Sequence, residues 1–115
     1  MKVLITGITG MVGSHLAEYL LASLPSVEVH GLIRWRSPLD NILHVKDRLC
    51  LHDADLRDLH SVIKALDAAQ PDRIFHLAAQ SYVGSSFTMP VETLTTNVIG
   101  TTNLLDAVRL TGIDP

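Results

Sequence analysis

The chain holds a single cysteine, Cys50, among its 115 residues, so it can form no internal disulfide. One unpaired thiol suits a reducing compartment, and the expected location is the cytoplasm. Long apolar runs are equally scarce, each being broken by polar or charged residues. No stretch approaches the roughly 20 apolar residues of a spanning helix, and no membrane partner is expected. The opening "MKVLITG" is too short for the apolar region of a secretory leader and lacks its cleavage site. Basic charge is not in excess either. Lys and Arg number 9 against 12 Asp and Glu, and they are scattered, which argues against a nucleic-acid surface. The 6 histidines fall on separate elements without an H-x-x-x-H type of spacing, and no second cysteine assists them. No metal site is expected.

What is present is a foldable core, since 47% of the residues are apolar. "KVLITG" is a β-branched run that reads as a buried strand. Val12, Leu16, Ala17, Leu20 and Leu21 then recur at helical spacing from Met11 to Ser23, and Pro25 closes that helix. A second strand is expected over residues 27–34, and a loop with one short helix over 35–47. "RLCLHDADL" begins as a third strand. Asp58 caps an amphipathic helix to Gln70, with Leu59, Val62, Ile63 and Leu66 on one stripe, and Pro71 ends it. "RIFHLAAQS" reads as a fourth strand running into a small-residue loop, and a long helix follows from Val91 to Thr111. Strands alternating with helices predict an α/β fold, a Rossmann-type doubly wound parallel sheet of about four strands.

The turn after the first strand carries Gly7, Gly10 and Gly13 at the mouth of the first helix. In a strand–turn–helix, the first glycine permits the turn and the second lets a diphosphate meet backbone N–H groups. The third lets helix and strand pack closely. The helix N-terminus adds partial positive charge. A β-branched residue at Gly10 would stand in the diphosphate's place and resist any positive φ. An NAD site has an acidic residue about twenty positions on, for the ribose 2′-OH. This chain has "RWRS" there, with no carboxylate between Val29 and Pro38. A guanidinium binds a 2′-phosphate where a carboxylate would repel it, so Arg34, with Arg36 and the Ser37 hydroxyl, predicts NADP as the cofactor.

"TGITGMVGSHLAEYL", "DADLRD", "FHLAAQS" and "TTNVIGTTNLLDAV" resemble, in order, the N-terminal part of extended short-chain dehydrogenases/reductases, the NAD-dependent epimerase/dehydratase family. Among these the chain is most similar to GDP-mannose 4,6-dehydratases and GDP-4-keto-6-deoxymannose reductases. The resemblance implies that Gly7, Thr9, Gly10, Met11, Val12 and Gly13 wrap the cofactor diphosphate. Arg34 would face the 2′-phosphate, and Asp55 and Leu56 would lie beside the adenine. Leu77, Ala78, Ala79, Gln80 and Ser81 would run along the nicotinamide-side ribose. Asn97 matches a helix residue that organises the active site, and Tyr82 and Ser85 would lie on the substrate side. His76 matches the turn residue of H-x-A-A and is expected to be structural. Where the dehydratases commonly have Gln-Asp between the second and third glycines, this chain has Met11-Val12. Glu92 replaces a tyrosine near the last helix, which leaves the particular sugar nucleotide open.

The resemblance further implies a Tyr-x-x-x-Lys pair as acid/base machinery. The two tyrosines, Tyr19 and Tyr82, are followed four residues later by Ser23 and Ser86, so neither starts that motif. Tyr19 is expected to pack within the first helix. No catalytic residue is therefore assigned, and residues 1–115 read as the NADP-binding portion of a longer enzyme, without its substrate domain. The implied reaction is a nucleotide-sugar 4,6-dehydration, with GDP-mannose as the implied substrate and a homo-oligomer as the implied assembly. A 4-keto-sugar reductase, a 4-epimerase and a non-enzymatic NADP-binding regulatory module remain as alternatives.

Overall fold

In the computed structural model, β1 (Lys2–Thr6) is hydrogen-bonded on both sides, which is why it can be apolar on both faces. Its neighbours are β2 (Glu28–Ile33) and β4 (Arg73–His76), and β3 (Leu49–Asp53) lies outside β2. The order is β3-β2-β1-β4, all pairs parallel, with Leu4 opposite His30 and Ile74, and His30 opposite Cys50. The structure describes residues 1–79 and 87–115.

Alternation along β1 divides the core in two. Val3 and Ile5 face α1 (Met11–Ser23) and pack with Ile8, Ala17, Leu20, Val29 and Ile42. Leu4 faces the other way, into a cluster with Leu32, Leu56, Val62, Leu66, Leu104 and Ala107, built by α2 (Leu59–Ala69) and the last helix. Helices on both faces of a parallel sheet make the doubly wound, Rossmann-like arrangement expected from the element order.

Several local expectations change. The short helix expected within the segment after β2 is a 3-10 helix over Asp40–Arg48, held by the buried Ile42. Val12 and Tyr19 are not core residues: they are 61% and 67% exposed, while Gly13, Ser14, Ala17 and Leu20 form the buried face of α1. Asp58 occupies the N-cap position of α2 but makes no side-chain cap bond. The Ser61 hydroxyl reaches back instead, lying 2.8 Å from the Asp58 carbonyl oxygen and accepting from the Asp55 N–H at 3.1 Å.

The last helix, α3, is α-helical over Pro90–Leu94, widens to a π-turn over Thr95–Ile99, and is α-helical again over Gly100–Thr111. Threonine hydroxyls explain much of the irregularity. Those of Thr93, Thr95, Thr101 and Thr102 each donate to the carbonyl four residues back, a contact that competes with the helix ladder and bends it. Gly112 ends α3 at φ 73°, in the left-handed conformation that glycine adopts freely.

Candidate cofactor site

The carboxyl ends of β1, β2 and β4 and the N-terminus of α1 open onto one cleft of about 370 Å³. It is lined by Gly7, Thr9, Gly10, Met11, Val12 and Gly13 from the glycine turn and by Arg34 and Ser37 after β2. Asp55, Leu56 and Arg57 line it after β3, and Leu77, Ala78 and Ala79 after β4. Thirteen expected site residues thus meet across four separate connections, as ligand sites at the switch point of such sheets do. Gln80, Ser81, Tyr82 and Ser85 lie outside the described residues.

The three glycines differ in what they permit. Gly7 has φ 74°, and a Cβ there would sit 2.8 Å from the Ala78 nitrogen, so it admits the loop after β4 as well as the turn. At Gly13 a Cβ would fall 2.1 Å from the Gly7 carbonyl oxygen, which makes this the glycine of helix–strand contact. Gly10 has φ −79° and ψ 175°, extended backbone open to any residue, so the space beside it and not its φ limits a side chain there. Within 4 Å its Cβ would meet only the Gly7 oxygen, at 3.3 Å. The space beyond Gly10 is the cleft itself.

Helix α1 has no side-chain cap and no acidic residue in its first turn. Its first N–H groups lack intrahelical partners, and no carboxylate competes for them. Met11 and Val12, being exposed, leave that end open. The arrangement suits a phosphate.

The polar end of the cleft contains a residue that the sequence reading passed over. Arg57 donates to Asp55 through Nε at 3.1 Å and Nη2 at 2.7 Å, and its backbone N–H adds a third bond at 2.9 Å. These bonds, with the charges of Arg57 and Arg34 and against some burial, hold the Asp55 carboxyl below its usual range. Asp55 raises the Arg57 guanidinium in turn. "DADLRD" had shown a cation two residues after the carboxylate, the signal that could have found this fork. Arg36 lies outside the cleft lining, at φ 65°, with its guanidinium 4.4 Å from the centre of the exposed Trp35 ring.

Behind the cleft, a chain of polar groups fixes the loop after β4. The Thr6 hydroxyl accepts from the N–H groups of Leu77 and Ala78, at 3.0 and 3.1 Å. Its own proton is then free to go to Nδ1 of His76, 2.7 Å away. His76 must therefore carry its proton on Nε2, which lies 3.0 Å from the Thr101 hydroxyl, and Thr101 donates to the Asn97 carbonyl at 2.8 Å. Burial lowers the His76 pKa, in keeping with this neutral tautomer. The π-turn also brings Thr96 into the cleft wall, a placement that helical periodicity did not suggest.

A family model described as GDP-mannose 4,6-dehydratase matches residues 4–115. The chain belongs to the GDP-mannose 4,6-dehydratase family. It is 41% identical to a GDP-mannose 4,6-dehydratase of Yersinia enterocolitica, over 98% of this chain and 32% of that protein. The human GDP-mannose 4,6 dehydratase is 38% identical over 96% of this chain and 32% of its own length. The chain thus spans about a third of the length of these curated relatives. Among solved structures, a Thermus thermophilus UDP-glucose 4-epimerase in complex with NAD superposes with a TM-score of 0.85 at 35% identity, covering 99% of this chain and 35% of that one. The chain shares its fold with that epimerase, and no helix among the described residues is long and apolar enough to cross a membrane.

Proposed function

We propose that this chain is the NADP-binding portion of a GDP-mannose 4,6-dehydratase. The family match supports the reaction, and one observation supports the choice of cofactor: Arg34 lines the cleft at the end of β2, where an NAD site has a carboxylate. Asp55, the acidic residue of the cleft lining, is ion-paired with Arg57, which offsets its repulsion of a 2′-phosphate at Arg34. The N–H groups of Met11, Val12 and Gly13 donate to the diphosphate, and the missing Cβ atoms of Gly7 and Gly13 let the turn close beneath it. The Asp55 carboxylate keeps lone pairs beyond those used by Arg57 and can accept from an adenine amine. Leu77 to Ala79 would lie along the nicotinamide-side ribose. When bound, NADP supplies a hydride acceptor for sugar C4 and a donor for C6, with water lost across C5–C6 between the two. The protein that contains this chain is read as cytoplasmic and homo-oligomeric, like the family it resembles.

The 4-epimerase neighbour favours one second reading, in which the same cleft serves epimerisation of a nucleotide sugar. Incubation of the full-length protein with GDP-mannose or UDP-glucose, followed by product analysis, separates the two. The dehydratase reading expects a 4-keto-6-deoxy sugar from GDP-mannose without net NADPH accumulation. A 4-epimer as the only product would replace it.

A further inference from the structure

The sheet juxtaposes chemistry that no spacing in the sequence announces. Glu28 and His30 stand on β2, and the register of the parallel pair puts Cys50 of β3 directly opposite His30. A carboxylate oxygen, an imidazole nitrogen and the Cys50 sulfur all lie within 4.8 Å of one another. We propose that Glu28, His30 and Cys50 bind a zinc-class divalent cation that ties the edge strand β3 to β2.

Three features support the site. The donor set is one imidazole, one thiolate and one carboxylate, the mixture that zinc takes at about 2.0–2.3 Å in tetrahedral geometry. That geometry spaces ligand atoms roughly 3.3–3.8 Å apart, within the 4.8 Å that holds the three groups here, and the exposed Glu28 and Cys50 side chains are the ones that must adjust. His30, by contrast, is fixed. It is 4% exposed, and its Nδ1 lies 2.8 Å from Nε2 of His52, whose ring stacks on it at an interplanar angle of 10°. A second partner on the far nitrogen is what orients a metal-ligating histidine. The other nitrogen, Nε2, is in direct hydrogen bond with Glu28 at 2.6 Å, so the exposed carboxylate has to swing back to admit the cation beside both groups.

Charge and protons balance. Glu28 and a Cys50 thiolate contribute two negative charges against the cation's two positive ones. Without metal, Nε2 of His30 donates to Glu28 and Nδ1 accepts from His52. On binding, Cys50 releases its thiol proton to solvent. The His30 proton moves to Nδ1 and donates to His52, whose own proton moves to its Nδ1. A water completes the fourth position. None of these four residues lines the cofactor cleft, so the cation's effect falls on the sheet edge and not on the reaction.

The test is a titration of the chelator-treated full-length protein with cobalt(II), followed by thiolate-to-cobalt charge transfer and by the d–d bands of tetrahedral cobalt. Wild type is expected to show a charge-transfer band saturating with Cys50 occupancy, displaced by zinc and lost in Cys50→Ser. His52→Gln should weaken binding about 10–100-fold, and Glu28→Gln at least tenfold, with the fold retained by circular dichroism. Zinc should raise the melting temperature of wild type but not of Cys50→Ser. A band unchanged in Cys50→Ser, or no band in wild type, overturns the proposal. Should Cys50→Ser misfold, the exposed Glu28→Gln decides, and unchanged cobalt affinity in that variant also overturns it.

Discussion

At Gly13 a single added methyl group would meet the Gly7 carbonyl oxygen at 2.1 Å, against backbone that cannot swing aside. Gly13→Ala is therefore expected to cost about 1–3 kcal/mol of stability through overpacking, read as a lower midpoint in denaturant. Gly10→Val should behave differently. Its φ of −79° suits valine, and the only tight neighbour lies at 3.3 Å, so the fold should survive while the side chain occupies the phosphate position. Circular dichroism with a cofactor titration checks this, and a folded mutant binding as tightly as wild type would place the phosphate elsewhere. Arg34 carries the cofactor preference. Arg34→Asp should lose about 1.5–3 kcal/mol of NADP binding with little loss for NAD, by titration of both nucleotides. Equal wild-type affinities for the two would count against the reading.

Between elements, the Thr6–His76–Thr101 chain joins β1, β4 and α3 and holds the loop after β4 through two N–H bonds to one hydroxyl. Thr6→Val removes the acceptor for Ala78 and the donor for His76 while keeping the shape, and leaves Leu77 only its bond to the Thr6 carbonyl at 3.2 Å. About 1–3 kcal/mol should be lost for each buried group left unpaired, together with cofactor affinity. The same chain makes a pH prediction. His76 has a folded-state pKa lowered by burial from the ordinary 6.5, so between those two values the unfolded chain binds more protons. Its contribution is full above about 6.5 and is lost as the pH falls toward the folded value. Denaturant midpoints across that window should fall with pH in wild type and fall less steeply in His76→Asn, the remaining slope coming from His52, whose pKa burial also lowers. A slope unaltered in the mutant would assign the pH dependence to other groups.

For the molecule as a whole, β4 ends the sheet among the described residues on the side away from β3, and its own Phe75 is 40% exposed. On α3, Leu94, Val98 and Leu105 are also exposed, whereas Leu104 is buried. An open apolar edge offers N–H and C=O groups to a second chain. A polypeptide of residues 1–115 alone is expected to self-associate on size-exclusion chromatography. With no Tyr-x-x-x-Lys, it should also fail to turn over GDP-mannose with NADP⁺. A clean monomer melting cooperatively would contradict the first expectation, and turnover the second.

The order of elements, the glycine turn and the position of Arg34 were legible because each is local: hydrophobic periodicity and a few backbone-permissive residues encode them within about twenty positions. Arg57 was legible too, two residues from Asp55, but its fork depends on a side-chain geometry that the pattern does not state. The remainder was decided between strands. Thr6 and His76 are 70 residues apart, Gly7 presses on Ala78, and Cys50 stands opposite His30. Sequence by itself determined which strands would form and which face of each would be apolar. Only the packed sheet, by fixing register across crossovers of many residues, decided which polar groups on those strands would meet.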